Sequence, residues 1–219
     1  MKKATDVKIF LCFLVVILCI CSVPASATIL SFDITFIFDG LGVPTNPSPW
    51  VNATFDDGGS PGTVDLTISA LGLDGDNEKV AGIYFNLDPS LNPALLVFSD
   101  PIKTGAFDNP VINKGINGYK ADGDGYYDIL INFGSGGTVK AFNGGETVKY
   151  TITLASLTAN SFDFLSAPAG GKGPYQTAAH IQSLGATDEA AWVTTPEPAT
   201  IGLLSIGALS LLRRRKNAV

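Results

Sequence analysis

Cysteine is confined to the first 21 residues of this 219-residue chain, at Cys12, Cys19 and Cys21. Everything after them lacks a thiol, which excludes disulfides, cysteine-ligated zinc and a cysteine nucleophile there. Histidine is nearly absent as well, since His180 stands alone. Zinc sites ordinarily draw on several His or Cys ligands, and a serine triad needs a histidine with a placed serine and aspartate. His180 is therefore read as an exposed or hydrogen-bonded side chain. Cations are scarce between Thr28 and Thr195, with seven against 18 acids and a net charge of −11. Such an acidic surface argues against nucleic acid and anionic lipid as partners. It suits a soluble extracellular protein, and it could attract a divalent cation.

An amphipathic helix is also missing, because no stretch of this segment carries apolar residues at a 3.6-residue period. Alternation at period two takes its place. In Thr28–Phe38, Leu30, Phe32, Ile34, Phe36 and Phe38 share a face. In Thr63–Ala70, Val64, Leu66, Ile68 and Ala70 point one way, and Thr63, Asp65, Thr67 and Ser69 the other. Trp50–Phe55, Val80–Leu87, Leu95–Phe98, Tyr126–Phe133, Thr147–Ala155, Ser161–Leu165, Thr177–Leu184 and Ala190–Val193 read as further strands. Thr104–Tyr119 has many Asn and Gly and reads as a long loop. Glycine-rich turns separate these stretches, and the chain has 24 glycines. The expected fold is all-β, an antiparallel β-sandwich of jelly-roll or immunoglobulin-like type. Its strands keep one polar face in water. No fixed-period repeat points to a solenoid or propeller.

The two ends are of a different kind. Lys2, Lys3 and Lys8 precede the apolar run Ile9–Val23, and Ala25-Ser26-Ala27 has the small-x-small pattern of a signal-peptidase site. Residues 1–27 are thus expected to be a helical signal peptide cleaved after Ala27. At the other end, Thr195-Pro196-Glu197-Pro198 leads into the uncharged run Ala199–Leu212 and then Arg213-Arg214-Arg215-Lys216. Lys and Arg stay on the cytoplasmic side of a membrane, so this tail reads as a stop-transfer segment behind a body that has crossed. The run's 14 residues make a helix of about 21 Å, short of the roughly 30 Å hydrocarbon core. That suits a transient anchor. The order of Pro-Glu-Pro, apolar run and arginine cluster resembles the PEP-CTERM sorting signal of Gram-negative bacteria. The resemblance implies recognition and removal of the tail by an exosortase. Pro196, Glu197, Pro198, Arg213, Arg214 and Arg215 are its sorting residues. The expected organisation is a signal peptide at 1–27, an exported domain at 28–194, and a sorting signal at 195–219 with its transmembrane helix at 199–212.

Chemical signals in the body are few. Asp122-x-Asp124-Gly125-x-x-Asp128 places three carboxylates around glycines, and calcium takes several hard oxygens at about 2.3–2.6 Å. Asp122, Asp124 and Asp128 are the candidate Ca²⁺ ligands. The spacing is not that of an EF-hand, and the competing reading is an Asp-Gly turn that launches a strand. Asp74-Gly75-Asp76-Asn77-Glu78 and Asp56-Asp57 are weaker versions of the same signal. Trp50, Trp192, Tyr119, Tyr126, Tyr127 and Tyr175 could supply a sugar-stacking face, although Trp50 is expected in the core. Adjacent Tyr126 and Tyr127 must point to opposite faces. Asn52-Ala53-Thr54 matches an N-glycosylation acceptor. No pair of carboxylates is nominated for glycoside hydrolysis.

Three classes of function follow. The first is a non-enzymatic, structural or adhesive protein of the envelope surface or extracellular matrix, tied to exopolysaccharide or biofilm. The second is a carbohydrate-binding module, with or without calcium. The third is a carboxylate-based glycan hydrolase. The first needs only the sorting signals and the sandwich, and it ranks highest.

Overall fold

The computed structural model describes residues 26–196, apart from residue 76, residue 123, residues 135–139 and residues 186 and 187. The expected signal helix and the expected transmembrane helix lie outside the described residues. Fourteen strands run in chain order: β1 Ile29–Ile34, β2 Phe36–Gly40, β3 Val51–Asp56, β4 Thr63–Ser69, β5 Lys79–Phe85, β6 Val97–Phe98, β7 Ile102–Thr104, β8 Val111–Lys120, β9 Gly125–Asn132, β10 Phe142–Asn143, β11 Thr147–Thr153, β12 Ala167–Pro168, β13 Thr177–Leu184 and β14 Glu189–Thr194. Two 3₁₀ turns, Pro93–Leu95 and Ala159–Phe162, are the only helical elements among the described residues.

The strands form two antiparallel sheets. The first has the order β1-β3-β4-β11, with β6 and β7 in line along the far edge of β11. The second has the order β9-β5-β13-β14-β2. There β8 flanks β9 opposite β5, since both pair with Ile129–Asn132. Alternation fixes which face each sheet buries. Phe55, Leu66 and Tyr150 of the first sheet meet Phe85, Ile131 and Ile181 of the second in one continuous core. Phe55 stacks on Phe162 at a centroid distance of 4.1 Å and meets Phe85 edge-on at 5.1 Å. Among the described residues, that core draws on residues 30–193.

Four expectations need correction. Thr28–Phe38 is not one strand on one face. The chain passes from the first sheet to the second at Thr35, whose N–H donates to the Thr194 carbonyl at 3.0 Å. The switch turns Phe36 outward, leaving it 48% exposed. Thr104–Tyr119 is not one long loop, since the ten-residue strand β8 takes up its second half and ends one residue beyond it. Its pattern is masked because it lies at a sheet edge, carries Gly115, Asn117 and Gly118, and shifts register between Lys114 and Tyr119. Ser161–Leu165 is not a strand; Ser161 and Phe162 close a 3₁₀ turn that plugs the core. Leu95–Phe98 is not a buried strand, since only Leu96 is fully buried there.

Candidate functional site

The turn into β9 separates the three candidate calcium ligands. Asp124 points inward and is 2% exposed. Its carboxylate accepts the Tyr127 hydroxyl, and the Ser166 hydroxyl lies 3.2 and 3.3 Å from its two oxygens. Ser166 in turn accepts the Tyr175 N–H at 3.1 Å. Burial pushes the Asp124 carboxyl above the ordinary range, against the pull of these hydroxyls. Burial and the Asp124 charge push the Tyr127 hydroxyl up as well. Asp128 does different work. Its Oδ2 accepts the Leu87 N–H at 3.0 Å and its Oδ1 the Asn117 N–H at 2.8 Å. Asp122 stays on the surface, where its charge acts on His180. Among the described residues, no group of three or more His, Cys, Asp or Glu is placed to hold a metal.

The weaker acidic motifs resolve the same way. Glu78 is buried and accepts N–H groups from Thr45 at 2.6 Å and Asp74 at 2.9 Å. Asp57 accepts from Thr28 at 2.8 Å, Gly59 at 3.0 Å and Ala159 at 3.3 Å, and these bonds hold its carboxyl below the ordinary range. Each clamps a loop to the sandwich by accepting backbone N–H groups. Gly58-Gly59-Ser60-Pro61-Gly62 spells the letters Gly-x-Ser-x-Gly. A nucleophile elbow joins a strand to a helix, whereas this string is the turn of the β3–β4 hairpin.

The six aromatic residues do not share a face. Trp50 is in the main core, its Nε1–H donating to the Asn46 carbonyl at 2.9 Å. Tyr127 and Tyr175 are buried in a second cluster with Phe38, against Tyr84 and Trp192 on the outer face of the second sheet. Trp192 stacks there on His180 at 4.5 Å with 12° between the planes. Burial in this cluster lowers the His180 pKa, with Asp122 opposing it. Tyr126 is 39% exposed while Tyr127 is buried, as adjacent strand residues require. Asn52 of the glycosylation pattern sits in the middle of β3, its amide donating to Ser31 Oγ at 3.0 Å and Asp33 Oδ1 at 2.7 Å.

A cleft with polar and apolar lining lies on the second sheet. It has a volume of about 240 Å³ and opens where β8 leaves its register beside β9. Asp128, Asn86 and Asn117 supply its polar side, and Ile116, Phe164 and Leu165 its apolar side. Asn117 holds a left-handed backbone at φ 48°, a conformation that Asn tolerates better than most residues. Its N–H bond to Asp128 secures that shape. The Asn86 amide donates to the Phe164 carbonyl at 3.2 Å, fixing the rim to the sheet.

The chain leaves the body at the end of β14. Thr194 is fully buried and its hydroxyl donates to the Thr177 carbonyl at 2.5 Å. Thr195 is 9% exposed, and Pro196 lies along a surface groove beside Leu30, Asp33 and Asp163. Glu197, Pro198 and the arginines Arg213, Arg214 and Arg215 lie outside the described residues, as do residues 1–25 of the expected signal peptide, while Ala27 is exposed. No helix among the described residues is long and apolar enough to cross a membrane.

A family model for the PEP-CTERM protein-sorting motif matches residues 194–216. The chain therefore carries a PEP-CTERM signal, which implies export, a transient membrane-held state and processing by an exosortase. No curated protein and no solved structure matches the chain.

Proposed function

We propose that the chain is an exported, exosortase-processed protein of the envelope surface or extracellular matrix, with a non-enzymatic structural or adhesive role linked to exopolysaccharide. The single observation that carries this reading is the sorting motif over residues 194–216, which takes over where the last strand of the sandwich ends. Signal peptidase at Ala27 and an exosortase at Pro196-Glu197-Pro198 would release the body from both flanks. The non-enzymatic part is supported by how the buried acids are used. Asp57, Glu78 and Asp124 each spend their oxygens on donors of the protein's own loops. A carboxylate so engaged holds structure and is withdrawn from acid–base work on a substrate.

The test is mass spectrometry of envelope, matrix and medium fractions, from cells with and without the exosortase. The expected result is a body lacking Leu203–Leu211 in the matrix or medium, and an intact tail in the membrane fraction when the exosortase is removed. Recovery of mainly intact chain from wild-type cells would overturn the reading.

A further inference from the structure

We propose that the cleft at Asp128 binds one ring of a neutral or N-acetylated hexose within a polysaccharide chain. The inference rests on the matrix reading above and adds to it a site and a ligand class. A pyranose is amphipathic, with hydroxyls around its edge and C–H groups on its faces. Recognising it takes fixed acceptors and donors beside an apolar wall. The cleft offers both. Each oxygen of Asp128 accepts one backbone N–H, from Leu87 and from Asn117, which come from two different segments. A carboxylate has about four acceptor positions, so each oxygen keeps one for an incoming hydroxyl. The two bonds hold those acceptors in place before the ligand arrives, which removes an ordering cost from binding.

Asn117 adds an amide that can donate and accept at the rim. Opposite it, Phe164 is half-buried, while Ile116 and Leu165 are 71% and 55% exposed. Large apolar side chains paired at the lips of one cleft mark a contact surface. About 240 Å³ is below the roughly 300–1,000 Å³ of a drug-sized site, which suits a single ring of an open polymer. Charge narrows the class further. Among the described residues no cation lines the cleft, and residues 28–195 carry −11. A uronate, sulfate or phosphate group would meet Asp128 unpaired. Neutral and N-acetylated sugars pay no such penalty.

The probes are an immobilised β-glucan, a galactomannan and chitin, with the polyuronate alginate as the anionic arm, presented to the full-length protein. Glucose, mannose, galactose and N-acetylglucosamine serve as free competitors. The variants are Asn117→Gly, which keeps the positive φ and the backbone N–H while removing the amide, and Ile116→Ala at the exposed lip. Thr54→Ala, on the outer face of the first sheet, is the control. We expect retention on at least one neutral polymer, displacement by a free sugar, and no retention on alginate. Each cleft variant should weaken retention about tenfold with an unchanged melting temperature, and Thr54→Ala should not. No retention on any neutral polymer overturns the proposal, as does binding that survives both cleft variants or that Thr54→Ala abolishes. Failure here in a protein still found processed in the matrix rejects the cleft alone. Failure of the processing experiment rejects the functional reading itself.

Discussion

Tyr127 donates its hydroxyl proton to the carboxylate of Asp124, three residues earlier in the chain, inside the protein. The bond turns a surface-like Asp-Gly motif into an interior tie between β9 and the residues on either side of β12, because Ser166 and Tyr175 complete it. Tyr127→Phe leaves a buried carboxylate short of a donor. That should cost about 1–3 kcal/mol in urea denaturation. A loss below a few tenths of a kcal/mol would show that Ser166 alone satisfies Asp124.

Calcium should leave the body indifferent. Asp124 is buried and bonded to Tyr127, Asp128 turns to the Leu87 and Asn117 N–H groups, and Asp122 stays on the surface, so the three carboxylates are not gathered around one ion. Melting in EDTA and in millimolar CaCl₂ should give the same temperature. A rise with calcium that Asp124→Ala removes would restore the three-aspartate site.

Two carboxylates respond to pH with opposite sign. Asp57 has a folded pKa held below its unfolded value by the N–H groups of Thr28 and Gly59. Its stabilisation is present above the unfolded value of about 3.9 and is lost as pH falls through the folded one. Asp124 has a folded pKa raised by burial. Its contribution is complete below the unfolded value and lost as pH rises through the folded one. Asp57→Asn should therefore flatten the acid side of the stability curve, and Asp124→Asn should flatten a decline running the other way. Denaturation between pH 3 and 7 separates them, and slopes of one sign in both variants would contradict the assignment.

Processing should leave Thr195 in the mature body. Thr194 is locked into the sheet by Thr35 and Thr177, and Thr195 is buried beside it, so an enzyme that needs extended chain finds it only from Pro196 onward. C-terminal sequencing of the released protein should end at Thr195 or later. A terminus at or before Thr194 would mean that β14 frays before cleavage.

Gly72 is a backbone-contact position. A Cβ there would stand 1.9 Å from the Pro49 carbonyl oxygen, a backbone atom that cannot swing away. Gly72→Ala should destabilise by about 1–3 kcal/mol. Unchanged thermal stability would show that the Pro49 loop yields freely.

Alternation of apolar and polar residues was enough to reveal the all-β class and most strands, because a half-buried strand must repeat with period two wherever one face meets water. Val64, Leu66, Ile68 and Ala70 are all buried, as their spacing demands. The sorting tail was equally legible, since its order of proline, apolar run and arginine is local to the chain. Long-range geometry settled the rest. The sheet change at Thr35 reverses which face Phe36 occupies, and only the distant Thr194 carbonyl explains it. Strand β8 hides among Asn and Gly because an edge strand needs little apolar patterning once β9 supplies its partner. The roles of Asp124 and Asp128 depend on Ser166, Leu87 and Asn117, residues 42, 41 and 11 positions away. A carboxylate's chemistry is set by the donors around it, and those donors meet only when the chain has folded.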